Sequence, residues 1–219
     1  AAVTSNVKEF KPLIINGRPL KAINQYYNKR KAELLSKLMN QDENRRTSNK
    51  IEKLTLKRNN KIEDYMHKAS RMLVDKLVEF NIGTVIIGKN DGWKTGVNIG
   101  DKNNQNFTLI PHSKFINMLE YKCRLVGIDV ILQEESYTSK CSLVDLEPIE
   151  HRDEYVGRRI SRGLFKSKDG IIINADINGS GNIMRKAIPN CLTTNGIEGF
   201  VVSPVRITPK GYYPYKQVS

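Results

Sequence analysis

The spacing of apolar positions changes character along the chain. The segment "FKPLIINGRPL" from Phe10 reads as a short strand, with Pro12 near an edge and a turn at Asn16-Gly17. From Leu20 to Met39 apolar residues recur at Ile23, Tyr26, Tyr27, Leu34, Leu35 and Leu38, until "NQDENRRTSN" breaks the pattern. A second helix is expected near Ser48, a capping residue, with Glu52 in an early turn. Its stripe runs through Ile51, Leu54, Ile62, Tyr65, Met66, Ala69, Leu73, Leu77 and Phe80 at mostly three- and four-residue steps. A helical hairpin is therefore predicted over 20–80. Beyond it, "GTVIIG" (Gly83 to Gly88) is a short apolar run typical of a buried parallel strand. After a polar loop, "KNDGWKTGVNIGDKNNQNF", a helix from about Ser113 to Val126 would bury Phe115, Ile116, Leu119, Cys123 and Val126. Gly127 and the strand "IDVILQ" follow, which makes a βαβ unit with parallel strands. Later, "IIIN" (Ile171 to Asn174) leads directly into a helix opened by Asp176, and "TPKGYYPYKQVS" reads as irregular.

Charge narrows the class of partner. Lys and Arg number 36 against 23 Asp and Glu, a net +13, with a pI near 9.6. Nucleic acid becomes a leading candidate, although ribosomal proteins, heparin binders and proteins of membrane surfaces share such a balance. Between Lys21 and Lys76 there are 15 basic and 7 acidic residues, so the hairpin carries much of the excess. Lys57, Arg58 and Lys61 fall on adjacent turns and suit a phosphate-facing surface, the alternative being a solvated face. A second basic stretch, "GRRISRGLFKSKDG", sets Arg158, Arg159, Arg162, Lys166 and Lys168 around Gly157 and Gly163. No apolar run approaches membrane-spanning length and the first residues have no leader pattern, so a cytoplasmic location without a membrane partner is expected. Cys123, Cys141 and Cys191 are odd in number and widely spaced, which suits free thiols, and no pair has zinc-ligand spacing.

Two acidic positions stand where a sheet enzyme would use them. Glu135, beside Glu134, ends the strand after the crossover, and Asp176 begins a helix just past a strand, the two strands being expected in one parallel set. Ligand sites in open α/β sheets form beyond the carboxyl ends of strands. Carboxylates there can hold Mg²⁺, and two such ions serve phosphodiester cleavage. An ordinary helix cap at Asp176 and solvated glutamates at the strand end are the competing readings. Trp93 is a loop anchor or a base-stacking platform, and His67, His112 and His151 are isolated. The stretch "NGSGN" matches no phosphate-binding loop.

The segments "PLIINGRPLKAINQYYNKR", "KRNNKIEDYMHKASRMLVDKLVEFNIGTVIIGKNDGWK", "NNQNFTLIPHSKFINMLEYKCRLVGIDVILQEESYTSK" and "GLFKSKDGIIINADINGSGNIMRKA" together resemble TnpB/OrfB proteins of insertion sequences, relatives of type V CRISPR effectors. The likeness runs to about Pro189. It implies an α/β, RNase H-like (RuvC) core over 1–189 with a basic helical hairpin at 20–80, and DNA cleavage with Mg²⁺ or Mn²⁺ guided by a transposon-derived RNA. The family's older label is transposase. Residues 190–219 are expected to form an irregular tail.

Three departures qualify that expectation. The family's first catalytic aspartate lies in a strand resembling "GIDLG", which belongs just ahead of residue 1. The second acid of many members sits where this chain has Gly88; a branch of the family supplies it from an "ExYTS" motif, which Glu135 fits, with Glu134 as the fallback. Asp176 in "NADINGSGN" matches the last acid, so Glu135 and Asp176 are the expected metal ligands. Many relatives follow "TSK" with a CxxC and close a zinc ribbon farther on. Here Val144 stands at the position that pairs with Cys141 and no later pair exists, so 141–170 is expected to be a zinc-free basic loop. The rival reading is a nuclease-dead, guide-dependent DNA-binding protein or an inactive fragment.

Overall fold

The computed structural model describes residues 1–89, 111–192, 198–201 and 203–214; the polar loop after Lys89, with Trp93, lies outside them. Strands β1 (Ala2–Val3) and β2 (Leu13–Ile15) pair antiparallel. The hairpin expected over 20–80 is formed by α1 (Arg18–Met39), with Pro19 in its first turn, and α2 (Asn49–Glu79). Ser48 caps α2 by accepting the Ile51 amide, and Glu52 lies in the first turn. Only the later part of α2 carries a continuous buried stripe: Ile62, Tyr65, Met66, Ala69, Leu73, Val74 and Leu77 pack with Phe10, Leu13, Leu20 and Ile207. Complete burial of one large apolar side chain stabilises by roughly 1.5–3 kcal/mol, so this stripe anchors the base of the hairpin. Tyr65 donates its hydroxyl to the Asn16 carbonyl, which ties α2 to the end of β2, and burial pushes its pKa up to about 12.

The βαβ unit forms as read. Strands β3 (Thr84–Lys89) and β4 (Asp129–Glu134) are parallel, in register from Thr84 against Asp129 to Lys89 against Glu134. Helix α3 (His112–Leu125) packs on α2 and β4, burying Met118, Leu119 and Cys123, while Val126 just beyond it stays exposed. Lys122 also turns into that interface, donating to the His67 carbonyl and the Ser70 hydroxyl, both at 2.7 Å.

Three expectations need correction. The strand before Asp176, β7 (Ile172–Asn174), does not join the parallel pair; it closes an antiparallel sheet ordered β5 (Arg158–Ser161), β6 (Leu164–Lys166), β7. The basic loop within 141–170 is thus in part a β-hairpin, turned at Arg162-Gly163, where Gly163 takes φ +83. The tail 190–219 is not wholly irregular either. Strand β8 (Val205–Thr208) lies parallel to β2, and β9 (Gly211–Pro214) extends the sheet β1-β2-β8-β9. Runs of three or four residues are too short for periodicity to resolve, and nearby Pro204, Pro209 and Gly211 read as loop formers. Burial decides instead, since Ile207 is fully enclosed.

Helix α4 (Ala175–Ala187) follows β7 without a linker and packs against β1, β3, β4 and β7. The short α5 (Glu198–Val201) adds Phe200 to a second core with Ile14, Leu143, Phe165, Ile173 and Ile177. The fold is mixed α/β. Among the described residues, no helix is long and apolar enough to cross a membrane.

Candidate active site and nucleic-acid interface

The end of β4 sends its two glutamates to different partners. Glu134 is held by Lys186 of α4 at 2.6 Å and by the hydroxyl and amide of Ser136. Those bonds, Lys186 first, hold its carboxyl at about 2, well below the usual carboxylate range. Glu135 instead reaches across to β3. A Cβ placed on Gly88 would lie 2.8 Å from Glu135 Oε2 and 2.7 Å from Ile183 Cδ1. The absent side chain of residue 88 therefore leaves room for the Glu135 carboxylate. The "EESYTS" turn fixes this arrangement, because Thr138 donates both its amide (3.3 Å) and hydroxyl (2.7 Å) to the Glu135 carbonyl.

Asp176 occupies the first turn of α4 with an exposed residue surface, and the cap is its neighbour Asn174. The Asn174 side chain accepts the amides of Asp176 (2.9 Å) and Ile177 (3.3 Å). Capping is thus done one position before the helix, and the Asp176 carboxylate is not the capping group. Ile183, at the Glu135 spot, lies seven residues on. That is about two turns, or roughly 10 Å, along the same face of α4. Glu135 and Asp176 therefore address one helix face at two levels. Among the described residues, no three His, Cys, Asp or Glu side chains gather as a ready-made metal cage.

Basic groups surround these acids unevenly. Strand β6 pairs with β7, Leu164 opposite Asn174, and the Gly163 carbonyl accepts the Ala175 amide at 2.9 Å. The tip of the hairpin, with exposed Arg162, is thereby fastened next to Asp176; Arg158 and Arg159 are exposed on β5, and Lys166 is half-buried. On the helical hairpin, Lys57 and Lys61 line an open groove with Lys53, Leu56, Asn60 and Asp64. Arg58 points elsewhere. Its Nε donates to Asn24 at 2.8 Å and its guanidinium lies over the Tyr27 ring, so it braces α1 against α2.

The unexplained "NGSGN" stretch proves to be a docking face of α4. Asn178 and Asn182, both fully buried, donate to the Cys141 carbonyl at 2.9 and 2.8 Å, and Asn178 accepts the Leu143 amide. Gly181 has no room for a side chain, because a Cβ there would overlap Leu143. Sequence reasoning missed these residues, though the i, i+4 spacing of the two asparagines places them on one face. Cys141 is buried and its Sγ donates to the Pro148 carbonyl at 3.4 Å. With Val144 three residues on, and no group of three or more His, Cys, Asp or Glu gathered among the described residues, the thiol there does not fit a four-ligand zinc site.

Comparison with known proteins adds to this geometry. Residues 1–94 match the family OrfB_IS605, described as a probable transposase, and residues 112–183 match the Cas12f1-like TNB domain. A TnpB-like protein of Methanocaldococcus jannaschii is 29% identical over 122 residues, covering 55% of this chain and 43% of that protein. A Cas12f1, solved by cryo-EM with sgRNA and target DNA, superposes with a TM-score of 0.59 at 21% identity, over 82% of this chain and 45% of its own. The chain thus shares the fold of part of that protein and spans less than half the length of either relative.

Proposed function

We propose that this chain, whose residues 1–94 match the OrfB_IS605 family and residues 112–183 the Cas12f1-like TNB domain, forms the greater part of a divalent-metal-dependent DNA endonuclease core guided by RNA. The observation that carries this reading is that Glu135 lies over the bare Cα of Gly88, beside Ile183 of the helix whose first turn holds Asp176. Glu135 and Asp176 would hold Mg²⁺ or Mn²⁺, with a third acid from the strand that the family resemblance puts ahead of residue 1. The ions would activate water and stabilise the leaving oxygen of a phosphodiester. This chain's own groups supply the rest. The Asn174 cap keeps the Asp176 carboxylate free of the helix end, and Thr138 holds the Glu135 backbone. Arg158, Arg159, Arg162 and Lys166 would meet the DNA phosphates beside Asp176, while Lys57 and Lys61 grip the guide or target backbone farther out.

The test is cleavage by the intact protein with its guide RNA. Asp176→Ala and Glu135→Ala each lower the rate by more than about 100-fold while leaving guide-dependent DNA binding nearly unchanged. Gly88→Glu in the Glu135→Ala background restores part of the activity, since the place of the Glu135 carboxylate is vacated and the tip of Ile183 has only to turn aside. Full activity of Glu135→Ala alone would remove it from the mechanism. A second reading, guided binding without cleavage, draws on the two-turn separation of the acids, and guided cleavage by the intact, unmodified protein in Mg²⁺ would end it.

A further inference from the structure

A TNB domain of the Cas12f type typically binds zinc, yet the corresponding loop here has a folded course without a zinc donor set. Something else must hold it. At its centre is Glu147, only 2% exposed. One carboxylate oxygen accepts the Ser142 amide at 2.7 Å, and the other accepts the Val156 amide at 2.9 Å. The Glu147 amide returns to the Ser142 carbonyl at 3.1 Å, so the two residues close a ring. A single side chain thus joins backbone five residues before it to backbone nine residues after it. A buried carboxylate is tolerated only when charged or N–H donors satisfy its oxygens, and here each oxygen has one.

The same loop is then fastened to α4. Arg185 donates to the carbonyls of Leu146 (2.8 Å) and Glu147 (3.1 Å) and to Asn182 Oδ1 (2.9 Å). Asn182 donates onward to the carbonyls of Thr138 and Cys141, and Asn178 bridges Cys141 and Leu143. The loop therefore has two ties, one internal and one to the helix that carries Asp176. Val156 lies two residues before Arg158, so the internal tie also sets where the basic hairpin begins.

We propose that Glu147, with Arg185, Asn178 and Asn182 of α4, does in this protein the fastening that zinc does in TNB domains of the Cas12f type. The carboxylate takes the central place of the metal, and backbone amides take the place of thiolate ligands. The inference concerns the architecture of the loop and stands whether or not the protein cleaves DNA.

Metal content, thermal unfolding and amide exchange of the purified protein test it together. The expected protein contains far less than one zinc per chain, and a strong zinc chelator leaves its Tm unchanged, whereas a structural zinc site unfolds on chelation. Glu147→Gln keeps the shape but turns an NH₂ toward one of the two amides. It should accelerate exchange at Ser142 or Val156 at least tenfold while leaving the Leu73 and Leu77 amides of α2 protected. Glu147→Ala should lower the Tm further, by about 10 °C. If that variant does not fold, the Gln variant and the chelator measurement still decide. Stoichiometric zinc whose removal unfolds the loop would overturn the proposal, as would unchanged exchange at both Ser142 and Val156 in Glu147→Gln.

Discussion

The half of the molecule built on α2 and the half built on α4 solve the same problem with different forces. Among the described residues, the core around α2 gathers sixteen buried hydrophobic residues, and that around α4 eight. The first half is held by a long apolar stripe. In the second, Glu147, Asn178, Asn182, Ser142 and Thr138 are buried among Leu143, Phe165 and Ile177, and most of their bonds run to backbone. Dispersion and hydrophobic burial tolerate changes of shape at constant volume, whereas a hydrogen bond to a buried carbonyl needs its donor. The α2 half should therefore be plastic in chemistry of equal size, and the α4 half should not.

Substitutions can break that contrast. Leu73→Ala should cost about 3 kcal/mol in denaturant unfolding, while Leu73→Met costs less than about 1.5 kcal/mol. At Asn178 the isostere should give no relief: Asn178→Asp loses the donor to the Cys141 carbonyl and adds a buried charge, so it costs about 2 kcal/mol, at least as much as Asn178→Ala. A neutral Asn178→Asp would show that the two halves do not differ in this way. Arg58→Lys should cost about 1 kcal/mol, since an ammonium cannot bridge Asn24 and cover Tyr27 as the planar guanidinium does. It should also weaken DNA binding less than Lys57→Ala, which separates bracing from phosphate contact in a salt titration.

The smallest effect is electrostatic. Lys186→Gln should let the Glu134 carboxyl rise from about 2 toward its ordinary range, followed by carbon-detected NMR. Because the folded-state pKa is depressed, the stabilisation from this pair is present above the unfolded value, near 4.5, and fades as pH falls toward 2. Solvent screening keeps it minor at this exposed position.

Legibility in the sequence followed the same division. The stripe from Ile62 to Leu77 and the alternation of helix with "TVIIG" and "IDVILQ" record burial over many residues, so α2, α3, β3 and β4 could be read. Strands β5 to β9 are too short to leave a period. The docking of the loop on α4 left none either, because hydrogen bonds between Asn182 and a carbonyl 41 residues earlier depend on the three-dimensional path. For the site, the motif likeness singled out Glu135 and Asp176, but it could not distinguish the partners of Glu134 and Glu135. Nor could it reveal that Asn174, and not Asp176, caps the helix. Those distinctions rest on the side-chain directions of residues one or two positions apart.

The empty Cα at Gly88 bears on how such a site changes over generations. A side chain there would meet the tips of Glu135 and Ile183, both of which would have to turn aside, so on the proposed reading an acid on β3 and one on β4 serve one neighbourhood. If the acid is moved from one strand to the other, the path runs through a form in which the Glu135 side chain has turned aside or through an acid-free one. The order of the two substitutions then decides which of those forms is met.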